Sequence, residues 1–174
     1  MKRDILYNAI GDLGRSINLL HQVGLLLPSM MMCYATIDIL AALARPAGTA
    51  ENTGTDFREW VNHYLLPGSR LVCTADDLWG ARCGLLHTYT PESRDSRKGK
   101  ARKLLYVAGV LDNSARNTTQ LEVGQYVVVV SQDLFDALSA ALQRFVDGLD
   151  SDPQLAERVM SRAGEFLVSW VPEQ

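Results

Sequence analysis

From Val23 to Ala44 the chain reads VGLLLPSMMMCYATIDILAALA, with Asp38 its only charged residue. A helix that is apolar nearly all round offers no face to water, so it belongs at the centre of a bundle or in a membrane. Pro28 and Asp38 interrupt the run. A buried helix of about four turns over Ser29–Ala44 accounts for it better than a membrane span, so no membrane partner is expected. The rest of the chain must then supply the helices that cover it.

It has the patterns to do so. Leu6, Ile10, Leu13, Ile17 and Leu20 recur at three- and four-residue steps and predict a helix over about Asp4–His21. Trp60, Val61, Tyr64 and Leu65 give a short third helix, with Thr55 placed to cap it and Pro67-Gly68 to stop it. Thr74 and Asp77 have the spacing of a capping box and open a fourth. Two polar breaks, Arg45–Thr55 and Pro91–Lys103, separate these parts.

Beyond the second break the period changes. Leu104–Ala108 and Tyr126–Val130 are short β-prone runs flanking the turn-rich stretch Asp112–Thr119, which predicts a small antiparallel ribbon. Ser131 is placed to cap a helix to about Val146, and Asp152-Pro153 starts another. The predicted fold is mainly α, a helical bundle with a small β-ribbon in the C-terminal third. With 174 residues and 47% of them hydrophobic, one domain spanning 1–174 buries enough surface to need no metal or disulfide staple. Cys33, Cys73 and Cys83 match no zinc spacing, and an odd cysteine count argues against a secreted disulfide scaffold. The N-terminus lacks the layout of a signal peptide, so a cytoplasmic location is expected.

The chemistry concentrates on the fourth helix. In Trp79-Gly-Ala-Arg-Cys-Gly-Leu-Leu-His-Thr88, Arg82 and His87 lie five residues and about 140° apart, so they border a cleft only where the helix ends or another helix crosses. Gly80 and Gly84, one turn apart and without side chains, invite such a crossing. An imidazole that takes a proton near neutral pH, beside a permanently charged guanidinium, suits RNA cleavage: the base deprotonates a ribose 2′-OH and the arginine stabilises the charge building on the phosphoryl oxygens. That chemistry requires no metal and no cofactor. The competing reading gives Arg82 an intramolecular ion pair with Asp38 or Asp77 and makes His87 a helix-end residue favoured by the dipole.

Arg94, Arg97, Lys98, Lys100, Arg102 and Lys103 fall within ten residues that hold one acid, Asp95. The whole chain has a net charge of -3, so it is no general polycation, and this segment is its one dense positive patch, where RNA could be held. A solvated loop is the plainer reading of such a run. His21 and His63 have no partners at ligand spacing, and no phosphate loop, nucleophile elbow or dinucleotide fingerprint is present.

Arg82-Cys83-Gly84-Leu85-Leu86-His87 has the R-x-x-x-x-H form of the HEPN superfamily, helical domains of prokaryotic toxins, CRISPR ribonucleases and defence proteins. The order around it, an apolar helix with Tyr34–Leu43, a loop, then the motif helix, resembles that family over roughly residues 12–103, leaving 104–174 as an extension. The resemblance implies that Arg82 and His87 form the RNA-cleaving pair, in a cleft where two such helices meet across a homodimer, with an antitoxin as a possible partner. Cys83 stands where active members often carry Asn, Asp or His. The family also includes members that bind RNA or nucleotides without cutting and members that serve as interaction modules.

Overall fold

The computed structural model describes residues 2–109 and 124–166. Helices α1 (Lys2–Gln22) and α2 (Leu26–Ala44) are followed by α3 (Gly54–Trp60), which runs on into a π-helical turn, Val61–Leu65. Next come α4 (Ala75–Thr88), the single turn α5 (Arg94–Arg97), strands β1 (Lys103–Val107) and β2 (Tyr126–Val130), then α6 (Ser131–Ser151) and α7 (Pro153–Phe166). The mainly helical fold expected from the sequence is the one observed.

By length and composition α2 could cross a membrane. In this structure it packs against α1, α3, α4, α6 and α7. Met30, Cys33, Tyr34, Ile37 and Leu40 are completely buried, and the buried hydroxyls of Ser29 and Thr36 are satisfied within the helix, by the Leu26 and Met32 carbonyls. The helix starts earlier than expected because Pro28 sits in its first turn, where a missing N–H costs no intrahelical bond. One core cluster runs from Leu6 of α1 through Phe57, Leu78 and Phe145 to Ala163 of α7, so the C-terminal helices share the core of the first hundred residues.

Three local expectations change. The cap of α3 is Thr53, whose hydroxyl accepts from Asp56 N while the Asp56 carboxylate accepts from Thr53 N at 2.8 Å; Thr55 lies inside the helix. Ser131 is the first residue of α6 behind Val130, and its buried hydroxyl has no hydrogen-bond partner among the described residues, so it is no cap. The two strands are parallel, not an antiparallel ribbon, in register from Lys103 opposite Tyr126 to Val107 opposite Val130. A parallel pair needs a crossover in place of a hairpin. The turn-rich stretch Asp112–Thr119 lies outside the described residues. At the start of α7, Asp152 Oδ1 accepts from the backbone N–H groups of Gln154 and Leu155 ahead of Pro153, as the sequence implied.

β1 packs on α4, and Tyr106 of β1 and Tyr34 of α2 share a hydrogen bond between hydroxyls that are otherwise buried. Burial raises both phenols well above their ordinary range, so they remain neutral donors and acceptors.

Candidate active site

Thr74 opens α4 with a complete capping box: its hydroxyl accepts from Asp77 N at 3.2 Å, and Asp77 accepts from Thr74 N at 2.9 Å. The last turn carries Gly84, His87 and Thr88 and ends at Tyr89 in the left-handed conformation. Arg82 projects from the side of α4 that faces Asp38 of α2. Its Nε donates to Asp38 Oδ2 at 2.6 Å, and both side chains are about four-fifths buried, at 21% and 18% exposure. Its Nη1 lies 3.1 Å from Nε2 of the exposed His87.

Arg82 thus makes the ion pair with Asp38 that the plainer sequence reading expected, and its other edge also reaches His87. The 140° between the two positions is bridged by the length of the arginine side chain, extended along the helix to its end. A guanidinium has donors only, so the Arg82–His87 contact is a hydrogen bond only with His87 Nε2 unprotonated and its other ring nitrogen carrying the proton. Burial pushes the Asp38 carboxyl above its ordinary value, against the pull of Arg82 and His87 in the other direction. Asn52 donates to the Asp38 carbonyl at 3.3 Å.

An aromatic floor lies under the cations. The Trp79 ring carries Arg82 at 5.2 Å and Arg58 at 5.3 Å from its centroid, within cation–π range. Arg58 is in turn held by Asp76 at 2.5 Å and Asp95 at 3.3 Å. Nothing in the sequence spacing of Arg58 and Trp79 marks them as partners that link α3 to α4. Cys83 is half-buried, and desolvation raises its thiol, so it is a thiol at neutral pH and no nucleophile.

The two glycines make room for a second backbone, and it is this chain's own. A Cβ on Gly84 would stand 2.5 Å from the Thr90 carbonyl oxygen and 2.8 Å from that of Glu92; one on Gly80 would meet Ala101 Cβ at 3.0 Å and Ser93 Oγ at 3.2 Å. The segment after α4 doubles back along this face, so the glycines give no argument for a helix of another subunit crossing here. Gly84→Ala is expected to destabilise by about 1–3 kcal/mol through overpacking, although alanine gains nearly 1 kcal/mol of helix propensity. A thermal melt checks this, as a drop of roughly 2–4 °C per kcal/mol; unchanged stability would mean the segment does not sit on the glycine face.

The doubling back also moves the basic patch. Arg97, Lys100, Arg102 and Lys103 line a cleft of about 710 Å³ together with Thr74 and Ser96, at the first turn of α4. His87 is in the last turn, roughly 20 Å from Thr74 at 1.5 Å per residue, while Glu92 on the other side of the cleft lies against Gly84. Arg102 is committed to the fold: its guanidinium binds the buried Asp77 at 2.6 Å, and its backbone N–H binds the same carboxylate. Lys103 lies over the Tyr126 ring, and Arg97 is 3.9 Å from Glu92. Arg94, Lys98 and Lys100 are exposed and form no ion pair among the described residues.

Compared with family models, with curated proteins and with solved structures, this chain matches none. His21 packs edge-on against Phe135 and His63 against Tyr64. Among the described residues no three His, Cys, Asp or Glu side chains are grouped to hold a metal ion.

Proposed function

We propose that this chain is a HEPN-like, metal-independent endoribonuclease of the cytoplasm, working as a homodimer in a toxin–antitoxin or defence setting. The observation that carries the reading is the 3.1 Å approach of Arg82 Nη1 to His87 Nε2, with the arginine anchored through Nε by Asp38. That anchor leaves the outer edge of the guanidinium for a phosphodiester. When a phosphate draws Nη1 away, His87 Nε2 is released as a base. It takes the proton of the ribose 2′-OH, the 2′ oxygen attacks the adjacent phosphorus, and the bond from phosphorus to the 5′ oxygen breaks. The products are a 2′,3′-cyclic phosphate and a 5′-hydroxyl that takes up a proton. Arg82 offsets the negative charge that builds on the phosphoryl oxygens. A second copy's Arg82–His87 pair would supply the acid for the leaving oxygen, which gives the homodimer a chemical role.

The cleft at the other end of α4 supports a strand path, with Lys100 and the exposed Arg94 and Lys98 as phosphate contacts. These unpaired cations also favour the second reading, a module that binds RNA without cutting it. RNA incubated with the purified protein in excess EDTA separates the two. The nuclease leaves cyclic-phosphate ends and spares a substrate with deoxyribose at the scissile position. The binder leaves the RNA intact but shifts it in a gel, with affinity falling as salt rises and a shallower slope in Lys98→Ala and Lys100→Ala, by about one unit per lost contact.

A further inference from the structure

Among the described residues Tyr89 is the only non-glycine with a positive φ, at 56° with ψ 33°. The left-handed position that ends a helix is ordinarily given to glycine or asparagine, since a Cβ there crowds the backbone. Nothing in the fold asks for a tyrosine. The N–H that closes the helix onto the Gly84 and Leu85 carbonyls is one any residue but proline could supply. The side chain is 54% exposed, and its hydroxyl has no hydrogen-bond partner among the described residues. A strained backbone and a large exposed ring are two costs retained at one position, two residues beyond His87.

The surroundings suggest what the ring is for. Tyr89 borders a groove of about 230 Å³ with Leu27, Leu85, Pro91, Leu105 and Tyr106, apolar walls below the usual range of roughly 300–1,000 Å³ for whole-ligand pockets. Chain connectivity keeps the α-carbons of Tyr89 and His87 within about 7 Å, so both can act on neighbouring parts of one ligand. An aromatic face and an apolar slot beside a guanidinium–imidazole pair match the parts of a nucleotide: a flat base that prefers a ring, and a phosphate that prefers the cation.

We propose that Tyr89 is a stacking platform for the base next to the phosphodiester held by Arg82 and His87. The inference rests on the RNA reading above and deepens it to a substrate class. A base within a duplex is stacked on its neighbours and cannot reach the platform, so the site takes single-stranded or loop RNA. Stacking reads no base edge, so the contact adds affinity with little sequence preference.

The test uses the full chain and a short single-stranded 2′-O-methyl RNA, which lacks the attacking hydroxyl and stays whole. Tyr89→Phe keeps the affinity of the unsubstituted protein. Tyr89→Ala and Tyr89→Gly weaken it by roughly 5- to 150-fold, the range for loss of one aromatic–base stack. Tyr89→Gly suits the backbone and keeps a melting temperature near that of the parent, so weaker binding there is not lost folding. A 2-aminopurine base in the RNA is quenched on binding to the parent and to Tyr89→Phe, and not with Tyr89→Gly. Unchanged affinity in Tyr89→Ala and Tyr89→Gly overturns the platform while leaving the RNA reading in place. A parent protein that binds no RNA overturns both.

Discussion

Arg82→Ala and His87→Ala are each expected to slow RNA cleavage by about 10²–10⁴-fold at neutral pH, the usual cost of removing a general base or a charge stabiliser from a phosphoryl reaction. In the proposed reaction the two side chains act on one proton and one phosphate, so the double variant should lose little more than the worse single one. Arg82→Lys should resemble Arg82→Ala, because an ammonium is a single point of charge and cannot bind Asp38 and a phosphate from two edges at once. Cys83→Ser should retain activity, since the thiol is not ionised. Asp38 acts through Arg82 and is a positioning residue. Its carboxyl is raised by burial, so it loses its charge at a higher pH than an ordinary carboxylate as the solution is acidified, and the anchor of Arg82 weakens there. Asp38→Asn should lower activity at neutral pH and flatten the acid side of the profile. Gel assays of product over a pH series check these outcomes. Full cleavage by His87→Ala would end the nuclease reading, and loss in Arg82→Ala alone would reduce the arginine to a brace between α2 and α4.

How far the sequence could be read depends on the range of the interaction behind each feature. Short-range signals were plain: the apolar run that became α2, the Thr74–Asp77 capping box, and Asp152 ahead of Pro153 are each settled within one or two turns. Thr53 and Thr55 show the limit, since both precede apolar helix residues and only the reach of Asp56 to a backbone N–H decides between them. The direction of β2 was beyond local reading, because a polar stretch between two apolar runs has the same composition in a hairpin and in a crossover. Gly80 and Gly84 do mark a close approach, but sequence could not say whose backbone comes near.

The same holds for the candidate site. Arg82 and His87 were visible as residue types at a spacing, and Asp38 as the one charge in an apolar helix, but their meeting depends on how α2 crosses α4. Trp79 and Arg58 were invisible as partners because they join elements about twenty residues apart through a ring and a guanidinium. The basic segment misled by adjacency. It follows His87 in sequence, yet its path back along the glycine face places its cleft at the opposite end of α4 and binds Arg102 to Asp77. A substrate strand that used both features would therefore run along α4.

The seat of that cleft on α4 depends on Asp77, and Asp77→Ala should cost about 2–4 kcal/mol of stability at neutral pH, the largest loss expected from any polar side chain in α4. The carboxylate is 2% exposed and serves three masters: the Thr74 cap, the Arg102 backbone N–H at 2.6 Å and the Arg102 guanidinium. Removing it leaves a helix without its capping partner and a cation without its anion, in the segment that carries the basic cleft. Burial pushes the Asp77 carboxyl up, but the Arg102 guanidinium, the backbone N–H groups of Thr74 and Arg102 and the Thr74 hydroxyl together outweigh it and hold the group below its ordinary value. A depressed carboxyl contributes stability that is fully present above its unfolded value, about 3.9, and that is lost as pH falls through the folded value. Urea melts at a series of pH values should therefore show the gap between the parent and Asp77→Asn narrowing below about pH 4, with a flatter acid limb in the variant. If the gap is independent of pH, the carboxylate's charge contributes nothing, and the loop that carries Arg102 is held on α4 by the glycine face alone.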